Sequence, residues 1–328
     1  MNGKDTDTRP RRIFLLGGTG TIGRATARAL RAAGHEVVAM VRPRPCADAL
    51  LPGVELREGD PTDPASLARD GLRGERFDTL VSCLASRTGA PADAWAVEHD
   101  AQLVALRAAE AAGIGHMILL SAICVQKPLL EFQRAKLAFE EALQGSGIDW
   151  TIVRPTAFFK SLSGQVARVR DGKPYLLFGD GRLTACTPIH DDDLGAFLAG
   201  CVTDPEARNR ILPVGGPGPA LTPLEMGEML FELTGRTPRY RRVPVAMMDA
   251  IAGVLGVLGR VSPRMADKAE FARIGRYYAT ESMLLWNPET GRYDAEATPA
   301  FGSRTLREHY AAMLRGEVAD DRGEHAVF

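Results

Sequence analysis

The chain has 328 residues, 45% of them apolar and 25% charged, the composition of a soluble globular protein with ample material for a core. A formal net charge of −1 supplies no global basic field, which excludes nucleic acid as the expected partner. The five cysteines are odd in number and include no Cys-x-x-Cys pair, which argues against a disulfide framework or a zinc cluster and for a reducing compartment.

Residues 12–24, Arg-Ile-Phe-Leu-Leu-Gly-Gly-Thr-Gly-Thr-Ile-Gly-Arg, join a short apolar run to a glycine-rich turn and then to Ala, Leu and Arg at helical spacing. That order reads as strand, tight turn, helix. Gly17, Gly20 and Gly23 serve in turn a tight bend, close backbone approach to a ligand, and close helix packing. Thr19 lies within the turn, and a helix opening at Thr21 and Ile22 aims backbone N–H groups and the positive end of its dipole at an anion. The spacing resembles the dinucleotide turn of the short-chain dehydrogenases/reductases. Gly18, Gly20 and Gly23 also satisfy the Gly-x-Gly-x-x-Gly pattern of other dehydrogenases, and spacing alone does not separate the two. The polar residues before the first strand contain no apolar h-region, so the chain reads as cytoplasmic.

Glu36–Val41 reads as a second buried strand. Arg42 ends it, where an acidic residue would bind the ribose 2′-hydroxyl of NAD and an arginine pairs with the 2′-phosphate of NADP, so NADPH is the expected cofactor. Arg44 is a second candidate for that phosphate. A third strand at 54–57 leads into Gly59-Asp60-Pro61, which resembles the adenine-contacting turn of the same superfamily, while Asp63 reads as the cap of a helix opening at Pro64. A fourth strand at 79–84 runs into Cys83, Leu84 and Ala85, where the ribose of the cofactor is expected. Strands at 117–121, 148–153 and 211–214 follow, and Pro155, just past the sixth, completes the cofactor-lining set.

Strands and helices alternating at these intervals predict an α/β fold, a Rossmann-type doubly wound parallel sheet with a smaller C-terminal substrate-binding region. Residues 1–157, with 189–216 returning to the sheet, form the expected NADP-binding domain, and 158–188 with 217–328 the substrate side. Residues 244–258 are almost wholly apolar but too short to span a bilayer, and read as a buried or pocket-lining helix. His190-Asp191-Asp192-Asp193 has metal-like composition but precedes an apolar run, and reads as helix capping.

In most short-chain dehydrogenases a Ser after the fifth strand and a Tyr-x-x-x-Lys helix carry proton transfer. Here Ser121 holds the first place, and Phe132-Gln133-Arg134-Ala135-Lys136 keeps the lysine but replaces the tyrosine. Hydride addition to a carbon–carbon double bond conjugated with a large π-system tolerates that loss, because the substrate itself delocalises the developing charge. Water or an unidentified side chain would then supply the proton.

Ser-Cys-Leu-Ala-Ser-Arg from Ser82, the run from Leu119 to Leu137, Ile-Val-Arg-Pro-Thr-Ala-Phe-Phe-Lys-Ser-Leu from Ile152, Phe-Gly-Asp-Gly from Phe178 and Ile-Gly-Arg-Tyr-Tyr-Ala from Ile274 resemble the NADPH-dependent divinyl chlorophyllide 8-vinyl reductases. That family belongs to the atypical short-chain dehydrogenases/reductases and reduces the 8-vinyl group of divinyl chlorophyllide or protochlorophyllide in (bacterio)chlorophyll biosynthesis. The resemblance implies Lys136 and Ser121 as catalytic residues, magnesium carried by the substrate rather than the protein, and a bacterial form at the inner face of the photosynthetic membrane. A flat macrocycle needs an apolar slot, for which Phe158, Phe159, Phe178 and the methionines at 226 and 247 are candidates, with Lys160 and Arg182 for its propionate. A competing reading is an NADP-binding regulatory or assembly protein of the NmrA-like type, and a third is a reductase or epimerase acting on another small substrate.

Overall fold

The computed structural model describes residues 9–43, 45–260 and 262–319. In chain order, β1 (Arg12–Leu16) leads to α1 (Thr21–Ala32), β2 (Glu36–Val41), β3 (Glu55–Glu58) and β4 (Thr79–Ser82). Next come α2 (Ala101–Ala111), β5 (His116–Leu120), α3 (Glu131–Gln144) and β6 (Asp149–Pro155). The remainder contains β7 (Tyr175–Phe178), α4 (Asp191–Gly200), β8 (Arg210–Val214), α5 (Pro223–Thr234) and β9 (Tyr240–Val243). Three long helices close it, α6 (Val245–Gly259), α7 (Pro263–Thr280) and α8 (Leu306–Arg315).

Seven strands form one parallel sheet in the order β3-β2-β1-β4-β5-β6-β8, with Leu16 of β1 opposite both Met40 and Ser82. Both faces are covered, so β1, β2 and β5 carry continuous apolar runs rather than alternating ones. Ile13, Leu15, Val37, Ala39 and Val81 face α1 and α4, and Phe14, Leu16, Val38 and Leu80 face α2 and α3. Strand order reverses between β1 and β4, which opens a crevice at their carboxyl ends. The expected strands are all present, with ends shifted by one or two residues.

A third core lies on the C-terminal side, where Phe159, Tyr175, Leu177, Leu230, Phe231, Tyr277 and Tyr310 pack around the parallel pair β7–β9. It reaches the sheet through Ile123, Cys124 and Leu130, which follow β5. Sequence reasoning missed this two-stranded sheet.

The expectation of a buried helix at 244–258 is corrected. Among the residues of α6, Ala252 alone is buried, and Met247, Ile251, Val254, Val257 and Leu258 are 45–63% exposed. The helix lies along α7, where a Cβ on Gly259 would come within 2.9 Å of the Ala266 Cα. The third core is already filled by aromatic side chains from other elements, so α6 packs outside it. No helix among the described residues is long and apolar enough to cross a membrane.

Candidate active site

The glycine turn sits at the crevice, and each glycine has a separate reason. Gly17 has φ +72°, and a Cβ there would overlap the backbone of Cys83. A Cβ on Gly23 would overlap the Gly17 carbonyl oxygen, so this glycine lets α1 close on the turn. Gly20 faces outward, its added Cβ meeting nothing nearer than Gly17 O at 3.4 Å. Gly20 also opens α1 without a side-chain cap among the described residues, which leaves the first-turn N–H groups directed into the crevice.

Lys160 is brought here too, its Nζ donating to Thr21 Oγ1 at 2.7 Å. The expected place of Lys160 is beside a macrocycle propionate; the chain leaving β6 turns its ammonium to the N-terminal end of α1. Asp191 adds a half-buried carboxyl to the same corner, with its Oδ1 enclosed. Burial pushes its pKa up to about 6 against the opposing pull of Lys160, and Oδ1 has no hydrogen-bond partner among the described residues.

On the other side of the switch point, Arg42 follows β2 and is exposed. Asp60 follows β3, and its Oδ1 accepts from Thr62 Oγ1 at 2.7 Å and Thr62 N at 2.9 Å. These bonds hold its carboxyl below the usual range, with the nearby Arg42 charge adding to them. Arg44 lies outside the described residues. Beyond β4, burial pushes the Cys83 thiol up to about 12, so Cys83 can offer backbone but no thiolate. Leu84 is half-buried and Ala85 exposed at the crevice, while Pro155 is buried at the end of β6.

Ser121 and Lys136 occupy the next part of the crevice without bonding each other directly. The Ser121 hydroxyl donates to Glu140, which also holds Arg154 in an ion pair. The Lys136 ammonium donates to Glu98 Oε2 at 2.7 Å, and Glu98 Oε1 accepts from Ser86 N at 2.9 Å and Ser86 Oγ at 3.0 Å. Lys136 therefore belongs to a buried, charge-balanced pair, and Glu98 is only 3% exposed. Sequence reasoning missed both carboxylates. Glu140 could have been found, since it lies four residues beyond Lys136 on the same helical face; nothing in the sequence marks Glu98. Phe132 stands where a tyrosine would, beside Gly89 and Ile274 of α7.

The expected aromatic slot is reduced. Phe159 is 1% exposed, its ring 5.4 Å from His190 and 5.3 Å from His309, so it is core rather than lining. Met226 is likewise buried, Met247 lies on the open face of α6, and Arg182 is exposed. Phe158 and Phe178 are each partly buried and can line a slot. His190 caps α4, its Nδ1 accepting from Asp192 N at 3.1 Å. Asp192 pairs with Arg28 at 2.5 Å and Asp193 with Arg304, which gives the acidic run a structural task.

Residues 17–205 match the family described as NAD(P)H-binding. The chain is 48% identical to the chloroplastic divinyl chlorophyllide a 8-vinyl-reductase of Oryza sativa subsp. indica, over 96% of this chain and 82% of that protein. It is 46% identical to the protein of the same name from Arabidopsis thaliana, over 95% of this chain and 79% of that one. Among solved structures, the leucoanthocyanidin reductase–NADPH complex from Vitis vinifera superposes with a TM-score of 0.68 at 19% identity, covering 93% of this chain and 99% of that chain.

Proposed function

This chain belongs to the family of the divinyl chlorophyllide a 8-vinyl-reductases, and we propose that it reduces the 8-vinyl group of the divinyl macrocycle, as chlorophyllide or protochlorophyllide, to an ethyl group. NADPH, when bound, supplies the hydride. The observation that carries this reading is an identity of 48% running through 96% of the chain, and so through the substrate side as well as the glycine turn. The retained Lys136, with an apolar ring at the tyrosine position, favours reduction of a conjugated carbon–carbon double bond over a regulatory NADP-binding protein.

Residues 1–157 and 189–216 are assigned to the cofactor half and 158–188 and 217–328 to the substrate side, a division supported by the separate core around Tyr175 and Tyr310. Gly17, Thr19, Gly20, Thr21, Ile22 and Gly23 receive the pyrophosphate, helped by the charge of Lys160. Asp60 meets the adenine through its remaining carboxylate oxygen, and Cys83, Leu84, Ala85 and Pro155 border the ribose and nicotinamide. Phe158 and Phe178 flank the macrocycle. Ser121, held by Glu140, and Lys136, held by Glu98, fix the polar side of the reacting end. The decisive test is anaerobic incubation with divinyl chlorophyllide and C4-deuterated NADPH. The expected product is the ethyl compound with deuterium in its methyl group, and no ethyl product would overturn the reading.

Arg42 is assigned to the 2′-phosphate. A charge-assisted hydrogen bond contributes about 1.5–3 kcal/mol, so Arg42→Ala should weaken NADPH roughly ten- to a hundredfold and leave NADH nearly unchanged. Fluorescence titration with both cofactors checks this, and equal losses would remove the assignment.

The finer placement is a bacterial, cytoplasmic enzyme working at the inner face of the photosynthetic membrane. Support for the membrane face is α6, whose exposed apolar side chains are flanked in sequence by exposed Arg239, Arg241, Arg242, Arg260, Arg264 and Lys268, against exposed Asp249 and Asp267. An apolar helix with a cationic margin fits an anionic lipid surface. The protein should float with phosphatidylglycerol-containing vesicles at low salt, and Val254→Asp combined with Val257→Asp should abolish flotation. Equal flotation of the double variant would sink this placement.

A further inference from the structure

Phe132 removes the phenol from α3, yet a phenol reaches the same place from α7. Glu270, Ile274, Tyr277 and Tyr278 lie along one side of that helix. Glu270 Oε1 accepts from Glu131 N, the first residue of α3, at 3.1 Å. Ile274 lies over Gly89 beside the Phe132 ring. Tyr277 Oη donates to Cys124 O at 2.9 Å, which fixes the helix against the segment following β5. The Tyr278 ring stands edge-on to that of Tyr277, 5.7 Å between centroids. Tyr278 and Phe132 pack against the same core that holds Cys124, and Gln133 Nε2 of α3 donates to Cys124 O at 3.1 Å. α7 thus brings Tyr278 to the core that Phe132 borders, and Phe132 shares α3 with Lys136, the partner of Glu98. Tyr277 is sealed in the core, whereas Tyr278 is partly exposed.

We propose that Tyr278 is the proton donor of the reduction, supplied by α7 in place of the tyrosine that α3 lacks. This rests on the vinyl-reductase reading. The Tyr278 O–H bond breaks and its proton forms the new C–H bond at the carbon attached to the macrocycle, using the electron pair released from the vinyl π bond as the hydride of NADPH bonds to the outer carbon. Water then reprotonates the phenolate. Burial, then the neighbouring Cys124, Tyr277 and Glu98, raise the phenol well above its ordinary pKa, so it holds its proton at neutral pH. The sequence pattern of α3 pointed to a reaction without a tyrosine acid because it showed that helix alone.

The test is Tyr278→Phe, which removes one oxygen and keeps the ring. Turnover to the ethyl product should fall about a hundredfold or more, the scale of general acid catalysis, with NADPH affinity unchanged. With protonation now limiting, the isotope effect of C4-deuterated NADPH on kcat should fall to unity and the solvent isotope effect should grow. Tyr277→Phe, which loses a buried hydrogen bond, should lower Tm and leave both isotope effects as in the wild type. A Tyr278→Phe enzyme with near wild-type turnover, or one slowed with its NADPH isotope effect intact, overturns this inference while the vinyl-reductase reading stands. A wild-type protein that makes no ethyl product overturns both.

Discussion

Lys136→Met should lower turnover by about a hundredfold or more, the scale seen when one fixed electrostatic donor is removed from an active site, while NADPH still binds with close to its original affinity. On the proposed reading the ammonium holds the nicotinamide ribose and supplies positive potential near the transition state without giving up its proton. The structure adds a complication, because the same ammonium balances Glu98. Methionine would strand that buried carboxylate with only the Ser86 donors, and breaking a buried pair in this way costs about 3–5 kcal/mol of stability. Lost activity could then be lost fold. The double variant Lys136→Met with Glu98→Gln separates the two effects, since it removes the stranded charge as well. Its Tm should recover most of the loss, and its turnover should not. A double variant with restored turnover would show that Lys136 matters only as the partner of Glu98.

The sheet was legible because parallel strands buried on both faces leave an unbroken apolar run, as at Ile13 to Leu16 and Val37 to Val41. The glycine turn was legible because its constraints are local: Gly17 makes the bend and Gly23 lets α1 close on it, as their spacing implied, and Gly20 leaves its outer side open. What escaped were contacts between residues far apart in the chain. Lys160 sits next to Phe159 in sequence but meets Thr21, 139 residues away, and Lys136 meets Glu98, 38 residues away. Periodicity carries no information on such pairs. Tyr278 lay within a recognised motif, but its place in the core that Phe132 borders depends on how α7 lies across α3. The misplaced α6 has a different cause: apolar composition measures a preference for burial, and whether a partner surface exists is decided by the rest of the fold.

Gly20→Val should abolish NADPH binding and leave the fold intact, whereas Gly23→Ala, a smaller change three residues on, should damage both. The contrast follows from where each side chain would point. Gly20 has φ −69° and ψ 165°, an extended conformation that valine adopts readily, and its Cβ would make ordinary contact with Gly17 O at 3.4 Å. The added methyl groups would project into the crevice, over the first-turn N–H groups that the pyrophosphate must reach. Losing two hydrogen bonds to a charged group, each about 1.5–3 kcal/mol, corresponds to a loss of affinity of roughly two to four orders of magnitude. A methyl on Gly23 would instead drive into the Gly17 carbonyl and come within 2.8 Å of the Gly18 Cα, both backbone atoms that cannot rotate away. The turn would have to open, at an overpacking cost of about 1–3 kcal/mol, and the binding surface would open with it. Thermal melts paired with NADPH titration distinguish the two variants. Gly20→Val with unchanged Tm and wild-type NADPH affinity would place the cofactor away from this turn. Gly23→Ala with unchanged Tm would mean that α1 does not depend on close approach to Gly17.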